Sequence, residues 1–164
     1  MAAALHTGAM KSYLSPKYQV YLVEDSALIR ERLLTRLGAL PLVHVVGFAT
    51  TVREAIEGID GHTPDAVILD LKLADGTGLT VLKHLKEHLP GVLVIVLTNY
   101  AVPYIQDICM KGGAAFFLDK TAELGRLLEI VQTLSTQQKT IEKCVSSARS
   151  LRFVSQAASL STAH

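Results

Sequence analysis

Five short, almost uninterrupted apolar runs punctuate this chain, and segments with helical spacing lie between them. The runs are Tyr18–Val23, Val43–Phe48, Ala66–Leu69, Val92–Leu97 and Ala114–Leu118. Strands with one wet face alternate apolar and polar residues, whereas strands covered on both faces do not. These runs therefore read as parallel strands buried between two layers of helix. Ser26 is placed to cap a first helix carrying Ile29, Leu33 and Leu37 on one face and ended by Gly38. Thr51 and Glu54 have the spacing of a capping box ahead of Ala55, Ile56 and Ile59. Leu79, Leu82, Leu85 and Leu89 mark a third helix, stopped by Pro90-Gly91. Pro103 suits the first turn of a fourth, and Leu124, Leu127, Leu128, Val131 and Leu134 mark a fifth. Alternation of this kind predicts an α/β fold: a parallel sheet with right-handed crossovers and helices on both faces.

Composition narrows the function. The 164 residues carry 16 basic and 15 acidic side chains and are 49% hydrophobic. That balance disfavours a strongly basic nucleic-acid binder, and the apolar content supports a real core. Two cysteines, Cys109 and Cys144, are too few for a disulfide scaffold and lack metal-ligand spacing, which fits a reducing compartment. No run approaches the roughly 18 apolar residues that span a bilayer, and MAAALHTGAM is not a convincing signal peptide.

Charge is distributed unevenly. Residues 1–17 hold Lys11 and Lys17 and no acid, 18–135 hold 10 basic and 14 acidic residues, and 136–164 hold four basic residues and Glu142. The last change coincides with Ser135-Thr136-Gln137-Gln138. Residues 18–135 thus read as the domain, 1–17 as an extension, some of it ahead of Met10 of a kind added in cloning, and 136–164 as a basic, partly helical tail. The tail's Ile141, Cys144, Val145, Ala148 and Leu151 have near-helical spacing, as an extension of the fifth helix or a partner-binding helix would. It is shorter than the roughly 50 residues of a DNA-binding module.

Ligands of open α/β sheets bind beyond the carboxyl ends of the strands. The first run ends in Glu24-Asp25, the third in Asp70, the fourth in Thr98, and the fifth runs into Asp119-Lys120. With the first and third strands adjacent, Glu24, Asp25 and Asp70 would fall within a few ångströms of one another. Three close carboxylates repel and call for a proton or a cation. A hard divalent ion with oxygen ligands meets that need, and magnesium uses one or two carboxylates together with waters and a phosphate. A lysine and a hydroxyl opposite the metal could hold phosphoryl oxygens, a constellation suited to phosphoryl transfer. Asp70 would be the nucleophile, since a carboxylate can form an acyl phosphate. Any one of these residues alone is ordinarily a cap or a surface charge; their joint placement at four strand ends carries the reading.

The segments VYLVEDS at 20–26, PDAVILDLKLADGTGL at 64–79, VLVIVLTNYA at 92–101 and GGAAFFLDK at 112–120 resemble the receiver domain of two-component response regulators. The resemblance covers about 18–135 and implies a cytoplasmic, flavodoxin-like doubly wound (βα)5 fold with strand order 2-1-3-4-5. It implies a phosphoacceptor Asp70, a direct metal ligand Asp25, and Glu24 holding metal-bound water. It further implies a main-chain carbonyl ligand from Lys72, phosphoryl contacts from Thr98 and Lys120, and Phe117 as the aromatic switch. The cofactor it implies is magnesium, for which manganese could substitute. The implied partners are a sensor histidine kinase or histidine phosphotransfer protein, then a downstream protein on the face formed by helix four, strand five and helix five. A homodimer is compatible; direct nucleic-acid or membrane contact is not expected. Outside its own phosphorylation and dephosphorylation, such a domain is not an enzyme.

Departures from the family pattern are visible. Thr121 follows Lys120 where many receivers have a cis proline, so a trans bond is expected. Asn99 stands where a small residue is common, and could narrow access. Lys72 and Tyr100 flank the expected path of hydrolytic water, which predicts a long-lived acyl phosphate. Two other readings stay open: a receiver fragment of a longer regulator with a DNA-binding or enzymatic output module, and an aspartyl phosphohydrolase. Haloacid-dehalogenase-like phosphatases place a general-acid Asp two residues after the nucleophile; here Lys72 occupies that position, which counts against the second.

Overall fold

The computed structural model describes residues 17–159, with side chains described through residue 145. Five strands form one parallel sheet: β1 Tyr18–Val23, β2 Val43–Ala49, β3 Ala66–Leu69, β4 Leu93–Thr98 and β5 Phe116–Asp119. Their spatial order is β2-β1-β3-β4-β5, the doubly wound arrangement expected. The last two strands begin one and two residues later than the apolar runs predict, which makes Thr98 and Asp119 their final residues. Helices α1 Ala27–Gly38, α2 Val52–His62, α3 Gly78–His88, α4 Pro103–Lys111 and α5 Leu124–Ser159 connect and follow them.

Each central strand feeds two cores by alternation. Tyr21, Val23, Val67, Leu69, Val94 and Val96 pack with Ala55, Ile59, Val81, Leu82, Leu85 and Cys109, so α2, α3 and α4 cover one face. Val20, Leu22, Ile68, Ile95 and Leu97 pack with Leu33, Leu37, Leu127 and Val131 of α1 and α5 on the other. A fully buried Leu of this kind contributes about 1.5–3 kcal/mol, so the sheet ends are anchored from both sides.

Local chemistry explains most boundaries. The Thr51 hydroxyl accepts from Glu54 N at 3.2 Å, but the Glu54 carboxylate returns to Thr50 N and Oγ1, at 3.1 and 3.0 Å, not to Thr51. The capping box is thus closed one residue early. Ser26 occupies the N-cap of α1 without a side-chain cap bond, contrary to the role its type predicts. Pro103 begins α4 as expected.

Helix α5 runs from Leu124 to Ser159, so the Ser135–Gln138 stretch placed at the domain boundary lies inside it, and the described part of the tail extends the fifth helix, one of the two readings open for it. Ser135 and Thr136 return their hydroxyls to Gln132 O at 2.7 and 2.9 Å, which keeps these polar residues compatible with helix. Gln138 Nε2 donates to Asp65 Oδ1 at 3.4 Å, a contact with the loop before β3. Ile141 and Val145 are exposed. The N-terminal extension through residue 16 and the side chains of Ala148 and Leu151 lie outside the described residues.

Candidate functional site

The site follows from strand register. Val23 of β1 pairs with Leu69 of β3, so Glu24 and Asp70 emerge side by side. The ladder continues past the strands: Asp70 N donates to Val23 O and Glu24 N to Ala49 O, both at 3.0 Å. Thr98 pairs with Asp119 at the ends of β4 and β5, and Lys120 N donates to Thr98 O at 3.0 Å. Sheet twist and register alone deliver Glu24, Asp25, Asp70, Thr98 and Lys120 to one edge.

Lys120 bridges the acids. Its Nζ lies 2.6 Å from Asp70 Oδ2 and 2.8 Å from Glu24 Oε2. One carboxylate oxygen each from Glu24, Asp25 and Asp70 lie within 4.8 Å of one another, with Asp25 half-buried and the other two buried. Burial pushes the Glu24 carboxyl above the usual carboxylate range, against the opposing bond from Lys120. Burial also pulls on the Lys120 ammonium, but its bonds to Asp70 and Glu24 outweigh that and hold it above its ordinary value. A single ammonium between two buried carboxylates leaves negative charge in excess. The oxygen donors and that excess fit a hard divalent cation, magnesium or manganese.

A cavity of about 390 Å³ opens over this cluster, walled by Glu24, Asp25, Ser26, Ile29, Asp70, Lys72, Asn99, Tyr100 and Lys120. Lys72 and Tyr100 both line its wall. Lys72 N lies 3.4 Å from Asp70 Oδ1, and the Lys72 side chain is exposed. Tyr100 is 57% exposed. Thr98 does not line the cavity: it is fully buried and its hydroxyl accepts from Tyr100 N at 3.2 Å. Phe117 is half-buried against the α2–α3–α4 core. Asn99 sits at the rim, where its Oδ1 accepts from the Thr121 hydroxyl at 3.3 Å. The described residues contain no cis peptide bond, so Lys120–Thr121 is trans as expected.

The hairpin after Asp70, Lys72–Leu73 paired with Gly76–Thr77, presses Gly78 onto the backbone of Asp70. A Cβ at Gly78 would lie 2.2 Å from Asp70 O, so this glycine is required by close approach and not merely by turn geometry. Asp75 Oδ1 in the same hairpin accepts from Val52 N at 2.6 Å and caps α2. Sequence reasoning missed Asp75 and Arg30. The latter donates to Glu24 O and Asp25 O at 3.0 and 3.3 Å. Its position in the first turn of the helix that follows the acids was the available signal.

Residues 20–132 match the family model described as response regulator receiver domain. The chain belongs to that family. It is 36% identical over 107 residues to regulatory protein LuxO of Vibrio cholerae, covering 65% of this chain and 23% of LuxO. It is 28% identical over 130 residues to the DNA-binding transcriptional activator DevR/DosR of Mycobacterium tuberculosis, covering 79% and 60%. Among solved structures, the signal receiver domain of the putative Luxo repressor protein from Vibrio parahaemolyticus superposes with a TM-score of 0.67 at 28% identity, covering 79% of this chain and 97% of that one. The receiver domain of the putative response regulator NarL from Mycobacterium tuberculosis gives 0.67 at 27%, covering 73% and 97%. The chain spans 60% of DevR/DosR and 23% of LuxO, so it matches the receiver portion of longer regulators. No helix among the described residues is long and apolar enough to cross a membrane.

Proposed function

We propose that this receiver accepts a phosphoryl group on Asp70 from a phosphohistidine of a sensor histidine kinase or histidine phosphotransfer protein. The observation that carries this reading is the buried Lys120 ammonium between Asp70 and Glu24, beneath a cavity that Asp25 also lines. In the transfer, one Asp70 oxygen forms a P–O bond as the P–N bond to the imidazole breaks, and the departing nitrogen keeps the bond's electron pair. Asp25 and Asp70 would hold magnesium directly, with Glu24 through a metal-bound water and Lys72 through its main-chain carbonyl. The ion would neutralise phosphoryl oxygens as charge shifts between them. Lys120 turns from the carboxylates to a phosphoryl oxygen, and the Thr98 hydroxyl exchanges its contact with Tyr100 N for a second one.

That movement draws the β4–α4 loop inward and lets Phe117 turn into the space released. Phe117 has no hydroxyl, so the gain comes from burial. The face formed by α4, β5 and α5 is thereby repacked for a downstream protein or a second copy of the chain. Tyr100 and Lys72 at the cavity rim shield the phosphorus and orient no water, so the phosphorylated state is long-lived. The setting is cytoplasmic, and the chain acts as a signalling domain whose chemistry is confined to its own phosphorylation. The match to only part of each curated relative favours a second reading of the same chemistry: this receiver drives an output module of a longer regulator.

The test uses a small phosphodonor, which separates the chemistry from the identity of the kinase. Acetyl phosphate with magnesium should label the wild-type chain and not Asp70→Asn. Equal labelling of that variant would reject the assignment.

A further inference from the structure

Arg30 enters the site through contacts that none of the roles above uses. It is half-buried in the first turn of α1, and Nη1 donates to two successive main-chain carbonyls, Glu24 O at 3.0 Å and Asp25 O at 3.3 Å. Among the described residues it is the only side chain that hydrogen-bonds either carbonyl. Its guanidinium carbon lies 5.0 Å from the ring centroid of Phe48 on the edge strand β2. The main-chain oxygen of Phe48 in turn accepts from the buried Tyr21 hydroxyl at 3.1 Å. One cation therefore ties the turn that carries two acids to the neighbouring edge strand. The usual device for fixing such a turn, a capping side chain at the start of α1, is absent at Ser26.

We propose that Arg30 is a positioning residue that locks the Glu24–Asp25 turn in the geometry a divalent cation needs, with Phe48 holding the guanidinium in place. This rests on the reading of the acidic cluster as a magnesium site. Ligand atoms from Glu24, Asp25 and Asp70 lie within 4.8 Å of one another, and their mutual repulsion favours a turn that swings outward. Donation from a planar guanidinium to consecutive carbonyls fixes the orientation of two peptide units together. A lysine ammonium keeps the charge but lacks the flat face that stacks on an aromatic ring and holds the donor in place.

Charge and geometry predict opposite signs, which makes the idea testable. Arg30 is a cation beside a cation site. If only its charge mattered, removing it would tighten magnesium binding. If it positions the turn, removing it weakens binding, as loss of groups that orient metal ligands typically does by about tenfold or more. The experiment is calorimetric titration of the unphosphorylated protein with magnesium chloride, for wild type, Arg30→Gln, Arg30→Lys and Phe48→Ala. Urea unfolding in chelator runs alongside, to identify which variants are folded at the titration temperature.

Both Arg30 variants should bind magnesium about tenfold more weakly while folded, and Phe48→Ala about threefold more weakly. Should Arg30→Gln not fold, Arg30→Lys carries the test alone. Unchanged or tighter binding in the folded Arg30 variants overturns the positioning role and leaves the magnesium site standing. A wild-type protein that takes up no magnesium overturns the site reading, and the role of Arg30 with it.

Discussion

Lys120 Nζ lies 2.6 Å from Asp70 Oδ2 while also reaching Glu24 Oε2, and all three side chains are almost fully buried. The ammonium therefore offsets repulsion between the two carboxylates inside the fold. Lys120→Met should cost about 3 kcal/mol of stability in chelator, the scale of breaking a buried pair from one side. Magnesium should restore part of it. Urea unfolding with and without the ion measures both, and an unchanged midpoint in chelator would show that the pair contributes nothing to folding.

Gly78 and Gly61 should respond oppositely to alanine. At Gly78 the new methyl would meet Asp70 O at 2.2 Å, whereas at Gly61, within α2, nothing lies within 4 Å. Gly78→Ala should lose about 3 kcal/mol or more and displace Asp70. Gly61→Ala should gain about 0.5–1 kcal/mol from helix propensity. Thermal unfolding of the two variants checks the contrast.

Tyr18 supplies a pH dependence far from the acidic cluster. Burial, followed by the nearby Asp65 carboxylate, pushes its phenol up to about 12. The folded state thus favours the protonated ring. Its contribution is complete below the ordinary phenol pKa of about 10 and is lost as pH rises through the folded value. Stability should fall by about 2–3 kcal/mol across that window, and Tyr18→Phe should lose this component of the fall. Tyrosinate absorbance should show Tyr18 titrating late in the wild-type protein.

Tyr100 and Lys72 line the mouth over Asp70. Removing the ring opens the path to phosphorus, and an amide at 72 can orient a water. Tyr100→Ala and Lys72→Asn should each speed phosphate release severalfold, on the order of 1 kcal/mol of barrier. Release followed after removal of the phosphodonor decides it; if neither variant is faster, the shielding idea fails.

The sheet was legible because burial on both faces writes itself as uninterrupted apolar runs, and β1 and β3 match residue for residue. The site was legible for the same reason: each acid, Thr98 and Lys120 is the last residue of a run or follows it closely. What escaped depends on contacts distant in sequence or on competing local bonds. Asp75 caps α2 from 23 residues away. Arg30 acts through main-chain carbonyls, and its place in the first turn after the acids does not by itself reveal which atoms it reaches. Ser135 and Thr136 mark the domain boundary by composition, yet their hydroxyls bond back within the turn and the helix continues across it.

Asp70 is the proposed carrier of the phosphoryl group. Borohydride reduces an acyl phosphate at aspartate to homoserine, so the modified position can be read directly. The chain is treated with acetyl phosphate and magnesium, reduced, cleaved with trypsin, and the peptide of residues 54–72 is sequenced by fragmentation. Homoserine is expected at position 70, and absent when magnesium is withheld. Homoserine at Asp60 or Asp65 with Asp70 intact would contradict it.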